Sequence, residues 1–302
     1  MKIPQKSLLS KLLLASALAV ANVSTAMPAL ASTFSAAKMS QTVVNSLSFK
    51  DVMRALYAGR MVQTYINDEE LEKYPYIGLS DRPLYYWEDD TTEDDGEEYH
   101  LLALMHPVAT YQNHQGKTRH LVMIEKVMIN DEGNLLISHG LGAEVDLYIF
   151  EQLPSGKYQL ISRTDPKHGI EIGAWGRSGL QMDEIAPTIQ PMGKSLTGGI
   201  FEFGYCGGGS CDSGWWALHL NEDRFIDRYY VGDSGGNNSG LVEEDSPLTY
   251  DYKSTFKVID NGATHFPIEL HFTGEMPMDD GAIQEVDFRQ NMFFNPAKRE
   301  YQ

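Results

Sequence analysis

Cys206 and Cys211 are the two cysteines of the 302-residue chain. Three glycines and a serine separate them, giving a C-x4-C spacing. Redox-active pairs more commonly use C-x-x-C at a helix N-terminus, where the thiolate is stabilised. Here strand-like aromatic segments flank the pair, so the expectation is a structural disulfide closing a short loop. The nine histidines do not assemble a metal motif. His100 and His106 alternate onto one face of a strand, while His120, His139 and His219 are scattered. There is no H-E-x-x-H, and two cysteines alone do not complete a Cys/His set. No metal or cofactor is expected. The run Glu88–Glu98, EDDTTEDDGEE, has eight acidic residues in eleven. It lacks the ligand order of an EF-hand, so it reads as a solvated loop rather than a calcium site.

Gly232-Asp233-Ser234-Gly235-Gly236 spells GDSGG, which resembles the segment around the nucleophilic serine of chymotrypsin-like proteases. That chemistry needs a histidine base oriented by a buried aspartate. The family carries its histidine in an Ala-Ala-His-Cys context, and none of the histidines upstream of the string has it. Asn237-Asn238-Ser239-Gly240 follows, a turn-forming run. The resemblance covers five residues and brings no triad with it. Aromatic residues are the more physical signal. Tyr205, Trp215 and Trp216 lie close to the cysteines and are the expected binding residues. Adjacent strand residues point to opposite faces, so Trp215 and Trp216 both belong to a core only where both faces are covered. Exposed aromatics are what interaction surfaces use. Trp175, set among Gly173, Gly176 and Gly179, reads as a cover over one end of the fold.

These residues need strands to position them. One helix comes first. Ser48 and Asp51 make a start signal, and Phe49, Val52, Met53, Leu56 and Tyr57 share a face, predicting a helix to about Ile66. From Tyr99 onward the pattern turns to β. Pro154-Ser155-Gly156 and Asp260-Asn261-Gly262-Ala263 mark hairpins, the Asn-Gly pair most strongly. Asp165–Lys194, rich in Gly and Pro, reads as a long loop or a set of short turns. Residues 284–294 read as a last strand. The fold class is mainly β, an antiparallel sandwich or barrel-like sheet with one N-terminal helix.

The chain opens on three lysines, an apolar run of about a dozen residues and an Ala-Leu-Ala site. This is the pattern of a cleaved signal peptide over 1–31, too short to span a bilayer. Residues 32–47 are expected to be flexible, and 48–302 to form the β-rich domain, with a candidate division near 165–195. Loss of 1–31 removes three lysines and no acid, so a chain of 24 basic and 42 acidic residues becomes one with net charge −21. Such a charge argues against nucleic acid and against a bare anionic membrane surface. The sequence therefore reads as an exported, periplasmic or secreted, non-enzymatic binding protein. Its expected partner is basic, as for an acidic inhibitor or immunity-type protein facing a basic envelope enzyme. An envelope hydrolase with dispersed carboxylates, and a structural envelope domain, are the alternatives.

Overall fold

The computed structural model describes residues 33–81, 99–167, 169–243, 246–278 and 281–302. The signal-peptide assignment and the acidic run 88–98 lie outside them. Among the described residues two large antiparallel sheets carry the fold. The first contains β1 (Val43–Val44), β2 (Met61–Val62), β3 (Tyr76–Leu79), β4 (Tyr99–Met105), β5 (Ala109–Gln112), β6 (Thr118–Asn130), β7 (Glu144–Gln152), β8 (Tyr158–Arg163) and β9 (Ile170–Glu171). Its order is β1-β8-β7-β6-β4-β3-β2, with β5 on β6 and β9 on β7. A small hairpin follows, β10 (Gly173–Ala174) and β11 (Arg177–Ser178). The second sheet is a sequential meander of β12 (Gln190–Gly193), β13 (Leu196–Gly207), β14 (Ser210–His219), β15 (Asp227–Asn237), β16 (Asp251–Val258), β17 (Ile268–Pro277) and β18 (Ile283–Met292). The short pair β19 (Phe294–Asn295) and β20 (Glu300–Tyr301) closes the chain.

The central strands of the first sheet are apolar almost throughout because both of their faces are covered. Val122, Ile124, Tyr148 and Phe150 point to one face. There they meet Val52 and Met53 from the helix α2 (Phe49–Leu56), which follows the short α1 (Ala36–Met39). Leu121, Met123, Leu147 and Ile149 point to the other face. They pack against Phe201, Leu218 and Leu220 of the second sheet and its flank. One core therefore takes side chains from both sheets, each large buried side chain stabilising by roughly 1.5–3 kcal/mol.

The second sheet curls into a half-barrel. Register shifts at Ser213/Gly214 and Trp215/Trp216 bend β14 against β15, as bulges do. β15 meets β16 only from Gly235 to Asn237. The curl is held by the Lys194 N–H, which donates to Ala263 O at 2.9 Å, and the Phe266 N–H, which donates to Met192 O at 2.7 Å. Ile200, Ala217, Val231, Ile268 and Leu270 fill the inside.

Three local outcomes differ from the sequence reading. Ser48 caps α2, its side chain accepting from the Asp51 N–H, but the helix stops at Leu56 rather than near Ile66. Gly59 takes a φ of +79°, and Met61–Val62 turn back to pair with β3. The segment 32–47, read as flexible, carries α1 and β1 within its described residues 33–47, with Met39 and Val44 buried. Within 165–195 lie β9 to β12 and the four-residue α3 (Met182–Ile185), whose Met182 and Ile185 sit in the core between the sheets.

Candidate functional site

Gly207 pairs with Ser210 across the β13–β14 turn, and Gly208 and Gly209 fill it with φ of 60° and 93°. Positive φ at both central positions is the pattern of the tight hairpin turns that match strand twist. One step back, Cys206 and Cys211 face each other as cross-strand partners and are disulfide-bonded. A crosslink between residues so close in sequence removes little chain entropy, about 2 kcal/mol. Replacing both, Cys206→Ser with Cys211→Ser, is expected to lower the urea-unfolding free energy by about that amount. The oxidised protein should weigh two hydrogens less than its reduced form, and equal masses would remove the bond.

The bonded tip is pinned to the first sheet's loops. His139 Nε2–H donates to Cys206 O at 2.9 Å, fixing the ring. Trp175 packs edge-on against His139 at 4.8 Å between centroids, and Tyr205 does so at 5.4 Å. Trp175 and Tyr205 remain 51% and 54% exposed. The three rings thus form an open aromatic row beside the disulfide. Trp175 is not the end cover its surroundings suggested. It occupies the first central position of the two-residue β10–β11 turn with φ +58°, followed by Gly176 at +79°. A bulky side chain at positive φ costs about 1–2 kcal/mol. The turn is held by two amides, Trp175 N–H to Ser138 O at 3.0 Å and Gly176 N–H to Leu141 O at 2.8 Å. Only glycine fits at 176, since a Cβ there would stand 2.3 Å from Leu136 O.

The other two expected aromatics are placed differently. Trp216 packs with the core between the sheets and Trp215 with the half-barrel core, so both faces are covered and both rings are partly buried. Trp215 Nε1–H donates to Ser254 Oγ at 3.0 Å, and Arg228 stands over the Trp216 ring. The sequence reading thus brought Tyr205 to the tip but did not join it to His139, from the β6–β7 loop of the first sheet, or to Trp175, from the turn of the separate β10–β11 hairpin.

Carboxylates accompany the row. Asp212 is the cross-strand partner of Tyr205 and shares its face. A groove of about 410 Å³ runs alongside, with Glu202, Asp212 and Asp251 in its wall. Tyr252 at its side is pushed up to about 12 by burial and then by Asp233, Asp212 and Tyr250. This marks a surplus of negative charge. Ser234 of the GDSGG string also lines this groove. Its Oγ lies 2.6 Å from Glu202 Oε1 and 2.7 Å from Ser213 Oγ, and among the described residues no histidine bonds it. Ser234 thus donates to a carboxylate, an arrangement unlike the histidine-based triad that the string resembles. Among the described residues no group of three or more His, Cys, Asp or Glu is placed to hold a metal ion, and no helix is long and apolar enough to cross a membrane.

Compared with known proteins, the chain matches no family model, no curated protein and no solved structure.

Proposed function

We propose that the mature chain is an exported, non-enzymatic binding protein of the bacterial envelope whose partner is a basic protein. The observation that carries this reading is the open row Trp175–His139–Tyr205 on a disulfide-tied tip, with Asp212 on the same face. Half-exposed aromatics fixed by hydrogen-bonded turns lose little entropy on binding and supply the large contact areas that dominate interfaces. The −21 mature charge speeds encounter with a basic surface and makes binding salt-sensitive. Inhibition of a basic envelope enzyme is the role this chemistry suits best.

Capture from a periplasmic extract at low salt should recover one basic protein, released as salt is raised. Trp175→Ala and Tyr205→Ala should each weaken that complex by about 2 kcal/mol, roughly 30-fold, while leaving the urea midpoint almost unchanged. Recovery of nothing, together with cleavage of a cell-wall or peptide substrate by the purified protein, would replace this reading with the hydrolase one.

A further inference from the structure

The outer edge of β18 is a second surface, distinct from the aromatic row. We propose that it pairs antiparallel with the same strand of a second copy, so that one sheet runs through a two-fold dimer.

Three of the four strands that end the two large sheets are blunt. β1 and β2 have two residues each, and β12 has four with Pro191 among them. Short edges and proline are means by which sheets avoid pairing with other chains. β18 lacks both. It runs ten residues, holds no proline, and matches β17 without a bulge from Ile268↔Met292 to Pro277↔Ile283. Asp287 to Asn291 are all exposed, so neither face of the strand is covered there.

The hairpin geometry tells which backbone groups are open. The Met278 N–H donates to Ala282 O at 2.8 Å, which makes 278 and 282 a hydrogen-bonded pair. Bonded pairs recur at every second residue of an antiparallel ladder. Gln284, Val286, Phe288, Gln290 and Met292 therefore direct their N–H and C=O at β17, and Pro277, with no N–H to give, falls at a non-bonded pair. The N–H and C=O groups of Glu285, Asp287, Arg289 and Asn291 point outward, and they have no backbone partner among the described residues.

The side chains select the occupant. In a two-fold strand pair one residue lies opposite its own copy, and its neighbours pair crosswise. With Phe288 at the centre, Asp287 of each copy faces Arg289 of the other, and Glu285 faces Asn291. These are the residues whose backbone groups point outward. Aromatic and opposite-charge pairs across strands are stabilising. The adjacent registers set like charges opposite each other, which destabilises. Centring on Asp287 opposes two aspartates, on Arg289 two arginines, and on Val286 it opposes Glu285 to Asp287. The side chains are already placed for the favoured register. His271 Nε2 lies 2.7 Å from Asp287 Oδ1, and Arg289 Nη1 donates to Glu269 Oε1 at 2.6 Å. On the opposite face Phe288 stacks on Phe272 at 4.9 Å between centroids and stays 41% exposed.

The test is the mass of the intact protein in solution, by light scattering or sedimentation at about 0.15 M salt, where a Debye length of about 8 Å screens the repulsion of two acidic copies. Between about 1 and 300 μM the native protein should pass from one copy towards two. Asp287→Arg and Arg289→Asp each put like charges opposite at both crossings, and each should weaken the dimer by about 30-fold. Mixed in equal amounts, the two variants should pair with each other, because every charge then meets its opposite. A native protein that stays single throughout, single variants that still dimerise, or a mixture of variants folded by circular dichroism that fails to pair each overturns the proposal. If the native protein stays single and Asp287→Arg also loses partner capture, the edge belongs to a strand of that partner instead. Trp175→Ala/Tyr205→Ala should abolish partner capture yet keep the dimer, so failure of one reading is distinguishable from failure of the other.

Discussion

Glu125→Ala is expected to destabilise the protein by about 3–5 kcal/mol, read as a fall in the urea-unfolding free energy at neutral pH. Glu125 sits in β6 with its side chain fully buried. Burial alone would push its pKa up, yet the group is held down at about 2, because hydrogen bonds from His106 and Arg177, the Arg177 charge and the Ser178 amide outweigh it. Arg177 Nε and Nη2 approach its two oxygens at 2.9 and 2.8 Å, and the Ser178 N–H donates at 2.7 Å. Removing the carboxylate leaves the His106 imidazole, the Ser178 amide and a largely buried guanidinium without their acceptor, which costs more than the lost pair itself gave. The double variant Glu125→Ala/Arg177→Met should recover at least 1 kcal/mol of that loss, because no uncompensated charge remains. A simple sum of the two single effects would show that the pair is not coupled. The variant also reaches the proposed recognition surface. Arg177 and Ser178 form β11, the strand that carries the Trp175 turn. Loss of Glu125 should therefore weaken partner binding as well as stability, unlike Tyr205→Ala, which should affect binding alone.

That cluster also shows what sequence makes legible and what it does not. The hairpins were readable because their turns are local. Gly156 and Gly262 take the positive φ that their Pro-Ser-Gly and Asn-Gly contexts announce, and the two cysteines pair across a glycine turn. Trp215 and Trp216 were readable up to a condition, since alternation separates their faces but cannot say whether each face is covered. α2 overran because Met61 and Val62 continue an apolar pattern equally compatible with a short strand, and only their partners Leu79 and Gly78 decide between the two. The sites themselves are non-local. Glu125 stands in Val122-Met123-Ile124-Glu125-Lys126-Val127, where a carboxylate at a fully buried strand position requires a partner. That partner, Arg177, is 52 positions away. Tyr205, His139 and Trp175 likewise come from three separate segments. Trp175 was misread for a further reason. A tryptophan seldom takes positive φ, so no local rule places it at the tip of a turn.

Acidification is expected to cost stability well before the carboxylates protonate. His219 is buried in the half-barrel, with Nε2 2.9 Å from Tyr301 Oη and its ring against Tyr229 and Phe294. Burial, then His265 and Arg224, pushes its pKa down to about 3. In the unfolded chain the ordinary value is about 6.5. Between these values the unfolded chain takes up a proton that the native ring refuses. The unfolded state therefore binds more protons, and stability falls as pH falls. From pH 7 to about 4.5 the loss should reach roughly 2–3 kcal/mol. Below about 4.5 Glu125 adds to the decline in the same direction, because its native pKa lies near 2 and the unfolded carboxyl protonates first. His219→Gln keeps a hydrogen-bonding amide for Tyr301 but does not titrate, so its stability should fall much less from pH 7 to 5 than that of the native protein, the remaining slope coming from the less buried His120 and His265. His120→Gln, at a less buried histidine also held low, should retain most of the slope. A slope that survives undiminished in His219→Gln would place the effect elsewhere. The structural consequence follows from the contact itself. Tyr301 belongs to β20, and its bond to His219 ties the terminal β19–β20 pair to β14 over the half-barrel core. Proton uptake at His219 would open that end first, so amide exchange in residues 294–301 should accelerate before exchange in β6 and β7 does.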